Sequence, residues 1–163
     1  MRERFRMYFR LATTCVWLNA AALFSIQIFD LIENETAERV CSYLAAVVFW
    51  GSLAVELISL WMTNTCRSKL EQQYGSGICK YQKPGYIAFM KSPRGRIADI
   101  AWIASFAVLL LLTVLQIHGG WLLMTVLSVF WLSLQLHCFY NGRNYCFLTA
   151  LNNMNKEKKY DES

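Results

Sequence analysis

A single glutamate inside an apolar run is the residue of this sequence best placed to do chemistry. Glu56 is the only charged residue between positions 40 and 62. An ionisable group at membrane depth is costly unless it faces an interior partner or an aqueous cavity. Ser52, Glu56, Ser59 and Thr63 follow a 4-3-4 spacing, which puts them on one helix face, and Ala45 and Phe49 extend that face. Asn19 is the conspicuous polar residue of the first apolar run, and Gln135 falls at a depth similar to Glu56 in the last. An interior polar cluster of Asn19, Glu56 and Gln135, with Ser52 and Ser59 beside it, is the expectation. Two roles are open for it. Protonated or hydrogen-bonded, Glu56 fixes helix packing, where each polar contact contributes about 0.6 to 2 kcal/mol. Alternatively, Glu56 binds a proton or a cationic substrate during transport.

Asp99 and His137 are the other acid–base candidates. Asp99 lies near the start of the third apolar run, where a negative charge favours the helix dipole and Arg94 and Arg96 are close enough in sequence to pair with it. A capping role is expected. The rival is an interfacial enzyme acting on lipid, which requires Asp99 and His137 to share one pocket.

The six cysteines, Cys15, Cys41, Cys66, Cys79, Cys138 and Cys146, contain no C-x-x-C. All but Cys41 fall toward the side read below as cytoplasmic, where thiols are expected. An outer cysteine pair, as a quinone-linked redox enzyme would need, is missing. Cys66, Cys79, His137, Cys138 and Cys146 match no common zinc spacing, so no metal and no cofactor is expected. Asn34-Glu35-Thr36 fits a glycosylation acceptor, but its connection of about ten residues leaves little room for the transferase. No nucleophile–base arrangement and no phosphate-cradling glycine loop appears.

The elements that must position these residues are four apolar segments, at about 11–29, 40–62, 97–117 and 121–139. A helix needs roughly 20 apolar residues to cross a hydrocarbon core of about 30 Å, and each segment qualifies. Runs such as residues 108–112, Val-Leu-Leu-Leu-Leu, lack the alternation a membrane barrel needs. Charged residues make up 17 % of the chain, against about 25 % in soluble domains. The first segment follows Arg2, Arg4, Arg6 and Arg10 in the manner of a secretion signal, but its 19 apolar-run residues exceed a signal core, so a retained helix is expected.

Charge sets the orientation. Four Arg precede the first segment, and seven Lys or Arg occupy 63–96. Four acids and one Arg lie between the first two segments, and no Lys or Arg lies between the last two. Lys and Arg stay on the cytoplasmic side. The expected fold class is therefore an all-α integral membrane protein, a four-transmembrane-helix antiparallel up-down bundle with N-terminus in and C-terminus in, located in the plasma (cell) membrane. One domain covers 1–155, with a cytoplasmic loop at 63–96 and a charged, disordered tail at 156–163. The second helix is expected to continue through Tyr74 and end at Gly75 as a C-cap. Gly119 and Gly120 absorb the turn before the fourth helix, one face of which carries Thr125, Ser128 and Gln135, and residues 141–145, Asn-Gly-Arg-Asn-Tyr, read as a turn after it.

Lys80, Lys83, Lys91, Arg94 and Arg96 are interleaved with aromatics. They are expected to contact anionic headgroups of the cytoplasmic leaflet, at about 1 kcal/mol per cation. Topology already accounts for these cations, so no nucleic acid is expected as a partner. With no large extramembrane domain, the expected function is non-enzymatic: association, as a homo-oligomer or as accessory subunit of a larger membrane complex. A small proton-coupled or cation-binding transporter using Glu56, and the interfacial lipid enzyme, are the alternatives.

Overall fold

The structure, a computed structural model, describes residues 1–29, 31–75, 89, 90, 92–117 and 120–161, the side chains as far as residue 154. Among the described residues it is all helical: α1 (Arg2–Phe29), α2 (Glu35–Tyr74), α3 (Pro93–Val114), α4 (Trp121–Tyr140) and α5 (Arg143–Asp161). The first four are long and apolar enough to cross a membrane, as expected of an integral membrane protein. Large apolar side chains on their outer faces, such as Val47 and Trp61 on α2 and Ile97 and Val114 on α3, are exposed. Patches of this extent suit hydrocarbon rather than water.

Local chemistry sets the helix ends. The Asn34 side chain accepts from the backbone N–H groups of Thr36 and Ala37, capping α2. The same carboxamide is the one that fits the glycosylation pattern. At the far end Gly75 takes φ 86° and bonds back to the Glu71 carbonyl, so α2 runs unbroken for 40 residues, about 60 Å. Ser92 caps α3 and Pro93 follows it, a pair suited to a helix start. α3 ends at Val114, short of the expected boundary, because Gln116 turns left-handed at φ 54°. The Gln116 and Ile117 N–H groups bond the carbonyls of Thr113 and Leu112, as in a Schellman ending. Gly120, at φ 86°, takes the backbone angle that precedes α4.

α1 is the central element and packs extensively on α2 and also on α4. α3 packs on α4 and makes no comparable contact with α1 or α2 among the described residues. The spans thus order as α2, α1, α4, α3, an open row rather than a ring.

α5 departs from the sequence reading, which had a turn at 141–145 and a charged tail. The turn takes only Asn141 and Gly142, and a helix then continues to Asp161. Phe147 and Leu151 of α5 close over Phe5 of α1 and Cys66 and Leu70 of α2. Phe5 and Phe147 meet edge to face at 5.4 Å. Arg6 donates to the Asn152 side chain and Arg67 to Asn144, both on the rim of this cluster. The spacing of apolar residues on α5 is too sparse to announce a helix by itself. Its stability comes from the two longer helices it covers.

One expectation about the cysteines is corrected. Cys15, Cys41, Cys66 and Cys138 are free thiols, but Cys146 is disulfide-bonded. Its position on α5, folded back against the other helix ends, is a constraint that linear spacing does not contain. Cys79 lies outside the described residues.

Truncating Phe147 to Ala should cost about 3 kcal/mol or more in this cluster. Hydrogen exchange is the check: protection should fall at residues 66–74 and 143–151, with the central spans unchanged.

Candidate functional site

Three helices converge on Glu56. It lies on the face of α2 that also buries Ala45, Ser52, Ser59, Thr63, Cys66 and Leu70, the face turned to α1. Asn19 of α1 is fully buried and donates from Nδ2 to Glu56 Oε2 at 3.1 Å. Gln135 of α4 donates from Nε2 to the same oxygen, also at 3.1 Å. Asn19 Nδ2 bonds in addition to the Cys15 carbonyl one turn back, at 3.1 Å. A flipped amide would set two oxygens against each other there, so Cys15 fixes which way Asn19 turns.

The amide oxygens are left over. Asn19 Oδ1 and Gln135 Oε1 are buried and have no hydrogen-bond partner among the described residues. The indole N–H of Trp131, one turn from Gln135 on α4, is likewise buried and unpartnered, and its ring lies 6.3 Å from Phe49 of α2. Buried polar atoms are rarely unpaired, so several in one neighbourhood point to a missing partner or a site of function. Ser52 and Ser59 are buried on the same face of α2 but do not reach Glu56. The Ser52 hydroxyl bonds the Phe49 carbonyl, and the Ser59 carbonyl accepts from Thr63.

A second polar centre lies where α3 begins and α4 ends. Asp99, fully buried, accepts from three donors: the Met90 backbone N–H at 2.6 Å, Asn141 Nδ2 at 2.9 Å, and His137 Nδ1. The expectation that Asp99 caps α3 or pairs with Arg94 or Arg96 is corrected. Ser92 supplies the cap, and Arg96 reaches the Met90 carbonyl instead, at 3.3 Å. Met90 itself is left-handed, φ 56°, and is held by these two bonds. The His137 ring stacks on Trp102 at 5.6 Å and meets Phe89 at 5.0 Å. With Nδ1 given to Asp99, Nε2 makes no hydrogen bond among the described residues. The Trp102 indole N–H is buried without a partner among the described residues.

The close fit of this junction rests on Gly95. A Cβ there would meet Asn141 Oδ1 at 2.3 Å and Ser92 Oγ at 2.8 Å. Ser92 also donates to the Tyr140 carbonyl at 3.1 Å, tying the start of α3 to the end of α4.

A third contact joins α1 to α4 near the far ends of the spans. Gln27 Nε2 donates to Ser128 Oγ at 2.9 Å, and Thr125 donates to Gln27 Oε1 at 2.7 Å. Thr125 and Ser128 were grouped on one face of the fourth helix by spacing. Gln27 was overlooked, although the i, i+4 row from Asn19 through Leu23 reaches it. Asn141 was overlooked as a turn residue, although it follows His137 by four.

Of the cations expected at headgroups, Lys80, Lys83 and Lys91 lie outside the described residues. Arg94 stands at the start of α3 with its guanidinium 5.9 Å from the Tyr140 ring centre. Among the described residues no group of three His, Cys, Asp or Glu is arranged to hold a metal.

Replacing Asp99 with Ala strands three donors in a buried place. The change should lower stability by about 3 kcal/mol. A drop in thermal midpoint in detergent, smaller for Asp99→Asn, is the measurement that checks it.

Comparison with known protein families, with curated proteins and with solved structures finds no match for this chain.

Proposed function

We propose that this chain is a small membrane transporter that binds a proton or small cation at Glu56 and works as an assembly. One arrangement carries the reading. Amides from two other helices donate to a single Glu56 oxygen, while their own oxygens stay buried and unbonded. An unbonded buried acceptor costs about 1 to 3 kcal/mol. A proton or a small cation is the partner that a carboxylate flanked by free carbonyl oxygens takes. Packing alone would be served as well by an apolar side chain or a fully paired one.

The assembly part of the reading extends to a homo-oligomer or an accessory subunit in a larger complex. Among the helices of the described residues α3 packs extensively on α4 only, which leaves the side between α2 and α3 to lipid or to a neighbouring chain. The proposed topology is antiparallel and up-down, with both termini in the cytoplasm and the plasma membrane as location. The charge distribution supports it, as does the meeting of the start of α1, the end of α2 and α5. Headgroup contact by Arg94 and Arg96 belongs to the same proposal.

A second reading has its own observation. Asp99 orients His137 through Nδ1 between two aromatic rings, leaving Nε2 as the reactive nitrogen. That is the geometry of a general base and suits an interfacial enzyme acting on lipid.

The test uses lipid-reconstituted protein in weakly buffered solution, with inorganic monovalent and divalent cations and a lipophilic organic cation as probes. Wild type should release protons when the correct cation is added. Glu56→Gln should release none while keeping the same thermal midpoint and oligomeric state, because a Gln carbonyl still accepts from both amides. Release that persists in Glu56→Gln would overturn the assignment. No release from wild type with any probe, together with an infrared carboxyl signal unchanged by pH, would reduce Glu56 to a packing element.

A further inference from the structure

An open groove runs between α3 and α4 from the end where α3 starts. It holds about 240 Å3 of space. Its walls are apolar, with Ile97 and Ala101 on α3 and Val129, Leu132 and Leu136 on α4. Ala101, where a larger residue would fill the space, leaves the recess. Of the two hydroxyl-bearing residues that line it, Ser133 has its hydroxyl spent on the Phe130 carbonyl, and Tyr140 stands beside Arg94 at the helix ends. Nothing inside therefore favours water.

The groove's one charged lining residue is Arg94, beside Tyr140 at the helix ends. Arg94 makes no hydrogen bond or ion pair among the described residues. The nearest acid along α3, Asp99, already accepts from Met90, Asn141 and His137. A guanidinium with its donor edge free fits a phosphate with two parallel N–H bonds. The positive end of the α3 dipole adds to the attraction. An apolar channel in a membrane span, ending in one unpaired Arg near a helix terminus, matches one occupant in both parts.

We propose that this groove seats an acyl chain of an anionic phospholipid whose phosphate is held by Arg94. The anionic preference follows from charge. No described acid near Arg94 is free to receive the cationic group of a zwitterionic headgroup, and the chain as a whole carries +5. The proposal rests on the headgroup contact read above for Arg94, and its test is separate from that of cation binding at Glu56.

The experiment is native mass spectrometry and thermal unfolding of the full chain in detergent, titrated with phosphatidylglycerol, phosphatidylcholine or inorganic phosphate. Phosphatidylglycerol should be retained one per chain and raise the midpoint, while phosphatidylcholine binds more weakly. Arg94→Gln should weaken phosphatidylglycerol retention about tenfold, the loss expected of a charge-assisted bond. Ala101→Leu, which fills the recess without touching the charge, should weaken it too, and Arg143→Gln should not. Equal retention of the two lipids overturns the anionic preference. Protection by inorganic phosphate alone, or full retention by Ala101→Leu, overturns the acyl seat. Full retention by Arg94→Gln overturns the role of that residue. Each variant's own midpoint without lipid reports whether it folds.

Discussion

In hydrocarbon, a polar side chain cannot borrow a partner from solvent, so it turns to its own helix or to another span. Most of what distinguishes this fold from four unrelated greasy helices follows from that constraint. Asn19 and Gln135 reach Glu56, Gln27 reaches Ser128, and His137 and Asn141 reach Asp99. Apolar surfaces between helices are interchangeable with lipid and specify little. The polar contacts fix which helix lies beside which, and at what height along its axis.

These contacts are unevenly distributed. Glu56 draws three helices together around α1, while among the described helices α3 packs extensively on α4 only. Its anchorage lies at one end, in the Ser92, Gly95, Asp99 and Asn141 junction, and its other end has no comparable set among the described residues. Glycine at position 95 lets the two helices approach closely enough for a side chain of α4 to bond Asp99. The two polar centres differ in kind as well. Asp99 is saturated with donors, whereas the Glu56 group retains acceptors with nothing to accept.

The spans and the Glu56 group were legible in the sequence for one reason. Apolar length and an isolated acid are local signals, and helical spacing converts residue number into depth. Asn19, Glu56 and Gln135 could be matched by depth without knowing any contact. The Asp99–His137 contact was foreseeable only as an alternative, because two helices must be laid side by side before a residue at one start can meet one at the other's end. The capping role assigned to Asp99 failed for the same reason: Ser92 was the better local cap, and the partner of Asp99 lay on another helix. α5 was illegible because its folded state depends on Phe5 and Leu70, far away in the chain. The Cys146 disulfide is a tertiary fact of the same sort.

The unbroken length of α2 has a mechanical consequence. Glu56 and Leu70 are 14 residues apart on one rigid rod, about 21 Å. A helix pivoting at Glu56 by about 10° carries Leu70 sideways by roughly 4 Å, on the scale of a whole side chain. α5 rests on Leu70 through Phe147 and Leu151. One unbroken helix therefore links the hydrogen-bonded acid to the cluster under α5. A tilt of α2 about Glu56 would be read, enlarged by that length, at the packing of Phe147 and Leu151.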